Sequence, residues 1–237
     1  EIGSGLVGSE MCIRDSNYAT KETEGYVDFD YFKIEDKISD CRWADVCYAD
    51  DELEGHKLDI YLPDTGKSSH KVVVLIYGSA WFANNMKQNA FQVFGRSLLD
   101  KGFAVVSINH RSSRDAKFPA QINDVKAAIR FIRANAAKYK LDTSFIGITG
   151  FSSGGHLASL AGTTNGVKSY TIGDKTVDLE GNVGEYFSFS SRVDAVVDWF
   201  GPIDMTRMEN CNTTKGANSP EAVSYTHLRA HETGAYL

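Results

Sequence analysis

Apolar positions in this chain come as short unbroken runs separated by stretches with helical spacing. Val72-Val73-Val74-Leu75-Ile76-Tyr77 is apolar throughout and rich in β-branched residues. That is the pattern of a strand covered on both faces of a parallel sheet. Phe103–Ile108, Phe145–Thr149 and Val193–Phe200 are mostly apolar and predict three further buried strands. Leu58–Leu62 alternates and reads as a strand stopped by Pro63, with a polar turn over Asp64–His70. Phe91, Phe94, Leu98 and Leu99 give helical spacing over Gln88–Lys101, ended by Gly102. The clearest helix is Pro119–Lys140. Ile122, Val125, Ile129, Ile132 and Ala136 form one stripe there, and Pro119 suits the first helical position. Ser153–Ala161 is a shorter helix with two leading glycines, and the polar stretch Gly162–Ser191 reads as a long surface insertion. Strands alternating with helices predict an α/β fold, a mostly parallel sheet with helices on both faces and right-handed crossovers.

Charge and composition exclude more than they suggest. The formal net charge of −6 offers nothing to nucleic acid or an anionic membrane. No apolar run is long enough to span a bilayer. Cys12, Cys41, Cys47 and Cys211 have no metal-site spacing. Cys41 and Cys47 lie in one extended segment, roughly 20 Å apart if it is a strand, too far for a disulfide. No metal or cofactor is called for, and nothing sets an oligomeric state. Asn17–Ser39 is polar and aromatic without a period, as in a linker or the tail of an upstream module.

The two ends read differently. Residues 6–15 are LVGSEMCIRD and residues 223–232 are VSYTHLRAHE. The first can be encoded as CTC GTG GGC TCG GAG ATG TGT ATA AGA GAC. Its reverse complement, GTC TCT TAT ACA CAT CTC CGA GCC CAC GAG, translates as the second without a mismatch. One short DNA element in inverted orientation is therefore expected on both sides, resembling the adapter of transposase-based sequencing libraries. Residues 1–16 and 223–237 are expected to be adapter-derived and without stable packing. Residues 17–222 are expected to be a partial domain cut at both ends. Cys12, His227 and His231 are set aside on that ground, and the lack of a visible signal peptide says nothing about localisation.

The chemistry concentrates at Gly150-Phe151-Ser152-Ser153-Gly154, between a predicted strand and a predicted helix. Gly-x-Ser-x-Gly in that setting is the nucleophile-elbow pattern. The turn is sharp and stores about 1–3 kcal/mol of strain. Gly150 and Gly154 let strand and helix backbones pass closely, and Gly155 extends the clearance. The helix starting at Ser153 points its N–H groups at the Ser152 hydroxyl. An incidental serine in a glycine-rich turn is the bland alternative, disfavoured by the strand–turn–helix setting. Tyr77-Gly78-Ser79-Ala80-Trp81 directly follows the first buried strand, where the other oxyanion-hole loop belongs. The backbone N–H groups of Ser79, Ala80 and Ser153 are candidate oxyanion donors, each worth about 2.7–4 kcal/mol in a transition state. Tyr77 and Trp81 are candidate substrate-pocket residues. A plain strand-end loop is the alternative there.

Together these segments resemble the bacterial carbohydrate-esterase branch of the α/β-hydrolases, feruloyl and acetylxylan esterases of gut Bacteroidetes type. The resemblance runs from about Cys41 to Pro220. It rests on LIYGSAWF (75–82), AVVSINHRSS (104–113), FPAQINDVKAAIRFIRANAAKY (118–139), GITGFSSGGHLASLAG (147–162) and VVDWFGPIDM (196–205). It implies a serine esterase, secreted or periplasmic, acting without a cofactor on acetyl or feruloyl esters of plant polysaccharide. Tyr77, Ser79 and Ala80 stand where the family usually has the His and two glycines of His-Gly-Gly-Gly-Trp. Asp124 and Arg130 fall where its helix carries such residues, most often structurally.

A serine hydroxyl needs a positioned base. In this superfamily the acid and then the His follow the serine in chain order. By the resemblance both lie beyond Val193–Phe200, and beyond Ala222. Of the residues present, His156 usually packs structurally in the family, and His110 reads as a loop or structural residue. His56 and His70 fall in polar turns, Asp198 inside a strand, and Asp204 in a turn. The chain as written is therefore expected to be inactive, lacking the acid and His of its parent and missing the C-terminal strands and helices of the fold. Three other readings share the motifs: a general small-ester carboxylesterase or lipase, a prolyl-oligopeptidase-type peptidase, and a non-catalytic hydrolase-fold protein.

Overall fold

A computed structural model describes residues 41–204, together with four short strands ahead of them. The expectations for residues 223–237, Cys12, Cys211 and most of Asn17–Ser39 lie outside the described residues. The chain divides into Glu1–Asp40 and Cys41–Leu237. In the first unit β1 (Glu10–Met11) pairs antiparallel with β4 (Phe32–Lys33), and β2 (Arg14–Asp15) with β3 (Val27–Asp28).

The second unit is built on one sheet. Its strands are β5 (Cys41–Cys47), β6 (Lys57–Tyr61), β7 (His70–Ile76), β8 (Ala104–Ile108), β9 (Leu141–Phe151) and β12 (Ala195–Trp199). They lie in the order β12-β9-β7-β8-β6-β5. The first four neighbours run parallel, while β6 and β5 are antiparallel. Alternate residues of β7 serve two cores. Val72, Val74 and Ile76 pack with α3 (Ala120–Ala134) and α4 (Ser153–Thr163). Val73, Leu75 and the following Tyr77 pack with the segment formed by α1 (Lys87–Ala90), a π-type turn at Phe91–Gly95 and α2 (Arg96–Asp100). That double coverage is why the run tolerates no polar residue. Each fully buried aliphatic side chain contributes about 1.5–3 kcal/mol.

The helix expected over Gln88–Lys101 is interrupted by the π-type turn. An added Cβ at Gly95 would lie 2.2 Å from the Phe91 ring, which itself stacks on Tyr61 at 3.6 Å. The widened turn brings ring and backbone together where only glycine fits. The helix expected over Pro119–Lys140 starts one residue later, with Pro119 as its cap, and stops at Ala134. Lys140 takes φ 56°, and Leu141 N–H returns to Ala136 O, turning the chain into β9. Strand β9 is accordingly longer than Phe145–Thr149.

The expectation of a fourth buried strand is overturned. In β12, Val196, Val197 and Trp199 are 38, 50 and 46% exposed. Among the described residues β12 pairs only with β9, so it forms an edge. The stretch Gly162–Ser191 is a surface insertion carrying a hairpin of β10 (Ser169–Ile172) and β11 (Lys175–Asp178). It is pinned from beneath by buried Leu179 and by Glu180, which pairs with Arg130 and Lys126 of α3. Among the described residues no helix is long and apolar enough to cross a membrane.

Candidate active site

Strand β9 delivers Ser152 to the carboxyl edge of the parallel sheet, and α4 begins at the next residue. Ser152 holds φ 54° and ψ −126°, a conformation that strains any side-chain-bearing residue. The neighbouring backbones fix it. Ser152 N–H donates to Trp199 O at 3.0 Å, and Ser152 O accepts from His156 N–H at 3.1 Å. The glycines do what the pattern requires. A Cβ on Gly150 would lie 2.5 Å from the Gly154 carbonyl, and one on Gly154 would lie 2.4 Å from the carbonyl oxygens of Ile76 and Tyr77.

The loop after β7 meets the elbow directly. A Cβ on Gly78 would sit 2.7 Å from Phe151 O and 2.8 Å from Ser152 Cβ. Gly78→Ala is therefore expected to displace Ser152 and, in an active esterase carrying this site, to lower kcat by about 100-fold. Steady-state kinetics beside an unfolding curve checks this, and a variant as fast as the wild type would show that the loop does not brace Ser152.

Beyond Gly78, Ser79 O accepts from Phe82 N–H at 2.9 Å, closing a turn whose central residues Ala80 and Trp81 have φ 49° and 60°. Positive φ at both positions is the mark of a type I′ turn, usually reserved for Gly, Asn or Asp. Of the expected oxyanion donors, Ser79 N–H donates to the buried Ser153 Oγ at 2.9 Å, tying loop and elbow together. Ala80 stands in the turn, and Ser153 opens α4, whose first N–H groups have no partner within the helix.

The two candidate pocket side chains point elsewhere. Tyr77 is fully buried; its hydroxyl donates to Ala83 O at 3.0 Å and its ring stacks on His110 at 4.9 Å. Trp81 is also buried, edge-on to His156 at 5.3 Å. The aromatic groups the sequence left unremarked are Phe94 and Trp199. Phe94 stacks on Trp199 at 5.5 Å and leans on Phe151 at 6.0 Å, placing a partly exposed apolar cluster beside Ser152. Only the fold joins residues that far apart in the chain.

No histidine side chain among the described residues hydrogen-bonds to the Ser152 hydroxyl. Burial lowers the His156 pKa to about 4, and its buried Nδ1 has no partner. His110 is fully buried, its pKa lowered chiefly by burial, and its Nδ1 lies 2.9 Å from Arg111 O. His56 and His70 were expected in polar turns, but both are buried. His70 opens β7. His56 bridges Asp51 at 2.6 Å and Asp124 at 3.1 Å. Asp198 accepts from Ser159 Oγ and Gly201 N–H, both at 2.7 Å, which closes the turn after β12 onto α4. Asp204 is exposed. Asp124 and Arg130 of α3 are buried; Asp124 pairs with Arg111, and Arg130 with Glu180. Among the described residues no group of three or more His, Cys, Asp or Glu could hold a metal.

The BD-FAE family model matches residues 58–232, more than half of the chain and all of the elements that build this site. The chain belongs to the BD-FAE family. Its match ends inside the segment expected to be adapter-derived. Relatives of this BD-FAE chain are esterases. A bifunctional GH43-CE protein of Bacteroides eggerthii is 86% identical, with a TM-score of 0.76 over 90% of this chain and 30% of that one. A truncated carbohydrate esterase from gut microbiota is 63% identical, with a TM-score of 0.73 over 76% of this chain and 64% of that one. Esterase LipQ of Mycobacterium tuberculosis is 34% identical over 139 residues, 59% of this chain and 30% of LipQ. The chain thus spans under a third of the length of the first and third of these proteins.

Proposed function

We propose that the parent of this chain is a serine carboxylic-ester hydrolase that removes acetyl or feruloyl groups from plant polysaccharide. The observation that carries this is Ser152 at positive φ on the turn between β9 and α4, with Gly78 packed against it. In the proposed reaction Ser152 Oγ bonds to the ester carbonyl carbon as its proton passes to a histidine. That histidine lies outside the described residues. The negative oxygen is held by the backbone N–H groups of Ala80 and Ser153, the Ser79 N–H being taken by Ser153 Oγ. The carbon–oxygen bond to the sugar breaks, and the sugar oxygen takes the proton. Water then repeats the sequence and frees the acid. The Phe94–Trp199 cluster beside Ser152 supports an apolar acyl group on the substrate, and the carbohydrate-esterase relatives support a polysaccharide carrier.

The same reading takes residues 1–16 and 223–237 as translated adapter, with the triad acid and His encoded downstream of Ala222 in the parent gene. The present chain is then expected to hydrolyse 4-nitrophenyl acetate no faster than its Ser152→Ala variant, while the full-length parent releases acetate or ferulate from xylan. Turnover by the present chain that vanishes in Ser152→Ala would refute its inactivity. A parent that cleaves only peptides would refute the esterase reading.

A further inference from the structure

The insertion after α4 and Arg130 of α3 line an open-sided cavity of about 360 Å³, whose walls also include Lys168, Glu180, Phe187, Phe189 and Arg192. It lies far from the elbow: α4 runs 11 residues before the insertion begins, roughly 16 Å along the helix axis. Its volume falls within the range of small-molecule sites.

The charges around it do not cancel. Glu180 is fully engaged. One of its oxygens accepts from Arg130 Nη1 at 2.5 Å; the other accepts from Ser191 Oγ at 2.8 Å and lies 3.3 Å from Lys126 Nζ. Asp178 Oδ1 accepts the N–H groups of Glu180 and Gly181. On the cationic side, neither Lys168 nor Arg192 has a carboxylate partner among the described residues. Arg130 is 1% exposed and its buried Nε has no partner. The lining thus carries Arg130, Lys168 and Arg192 against the carboxylates of Asp178 and Glu180, a net charge of +1 on a concavity in a chain of net charge −6.

Two aromatic rings complete the wall. Phe187 and Phe189 are 55 and 42% exposed. The Arg130 guanidinium covers one face of Phe187 at 5.3 Å, leaving the rest of the ring to a ligand. An exposed phenyl surface beside unpaired cations suits a molecule with an apolar C–H face and a carboxylate. A guanidinium takes a carboxylate in bidentate fashion, and a pyranose ring lays its C–H face on an aromatic plane. A hexuronic acid has both features; a neutral pentose or hexose has only the first.

We propose that this cavity binds a carboxylated sugar, the uronic acid side group of a plant polysaccharide, and holds the polymer at a point remote from Ser152. The tethering role rests on the esterase reading above; the binding does not. The test is calorimetric titration of the full chain carrying Ser152→Ala, so that no ester is turned over. The probes are a xylo-oligosaccharide with a glucuronic acid branch, the same backbone without the branch, free glucuronate and inorganic phosphate. The branched oligosaccharide is expected to bind at least about tenfold more tightly than the neutral one, and Arg192→Gln and Phe187→Ala should each weaken it by about tenfold. Both residues are exposed, so neither change endangers folding. Added salt should weaken the branched ligand and leave the neutral one unchanged. Free glucuronate binding at the same Arg192-dependent site would support recognition of the sugar acid itself. Absence of binding, equal affinity with and without the branch, or indifference to both variants would overturn the proposal. Phosphate binding as tightly as the branched sugar would also overturn it, by reducing the cavity to a bare anion site. Ester hydrolysis by the parent is measured separately, so either conclusion can fail while the other stands.

Discussion

Ser152→Ala in the full-length parent is expected to lower kcat by about 10⁶-fold while changing KM little. The size follows from what the hydroxyl does. Without it no acyl-enzyme forms, and an activated base has nothing to activate. What survives is substrate binding and the oxyanion donors, which by themselves accelerate hydrolysis about 10³–10⁴-fold over water. The substitution removes only Oγ and keeps the Cβ, so the packing and the strained turn at φ 54° are the same in both proteins. Loss of rate with an unchanged unfolding midpoint is therefore the expected combination. Steady-state hydrolysis of an acetyl ester, together with loss of covalent labelling by a phosphonate, measures it. A variant within tenfold of the wild-type rate would remove Ser152 from the chemistry.

The elbow geometry at Ser152 was legible because its constraint is local. A strand, a helix and three glycines within six residues leave little choice of geometry, and φ 54° at Ser152 is the outcome. The buried runs of β7 and β8 were legible for a similar reason, since coverage on both faces leaves room only for apolar residues or for a polar one with its own buried partner, as Ser107 has in Lys87 O. Strand β12 shows the limit of that inference. Its Ala195-Val196-Val197 run is apolar, although Asp194 and Asp198 flank it, yet Val196, Val197 and Trp199 are exposed among the described residues, because composition records what a strand is made to pack against and not what surrounds it. The loop after β7 shows another limit. That Ser79 N–H is held by Ser153 Oγ depends on two residues far apart in sequence meeting at 2.9 Å. Polar residues were misplaced most often. His56 and His70 looked like turn residues because their neighbours are polar, and both proved buried. Asp124, Lys126 and Arg130 were unusual in the sequence only as charges within a helix whose other positions are mostly buried.

The largest expected change in stability is at Asp124, and it reaches the site through a chain of contacts. The Asp124 side chain is fully buried. It accepts from Arg111 Nη2 at 2.6 Å, from Arg111 Nε at 3.0 and 3.1 Å, and from Arg111 backbone N–H at 2.8 Å, and it lies 3.1 Å from His56 Nε2. Asp124→Ala would leave a half-buried guanidinium and a buried imidazole without their shared carboxylate. Breaking a buried pair in this way costs about 3–5 kcal/mol, because the orphaned charge keeps its desolvation penalty. The midpoint of urea unfolding is expected to fall by the corresponding amount with little change in slope. The pH dependence should change as well. Burial lowers the His56 pKa, but hydrogen bonds and charge attraction from Asp124 and Asp51 outweigh it and leave the folded value above the ordinary 6.5. A raised folded pKa means that protonated His56 adds stability that is full below the unfolded pKa and is lost as pH rises through the folded one. The wild type should therefore lose part of its stability on going from slightly acid to slightly alkaline pH. In Asp124→Ala that loss should shrink, with Asp51 alone left to hold the proton. Arg111 follows His110, whose ring lies under Tyr77 at the start of the loop after β7, so a loosened Arg111 should also raise hydrogen exchange at Gly78 and Ser79. An unchanged midpoint, or an unchanged pH slope with a lowered midpoint, would show that Asp124 does not hold this network.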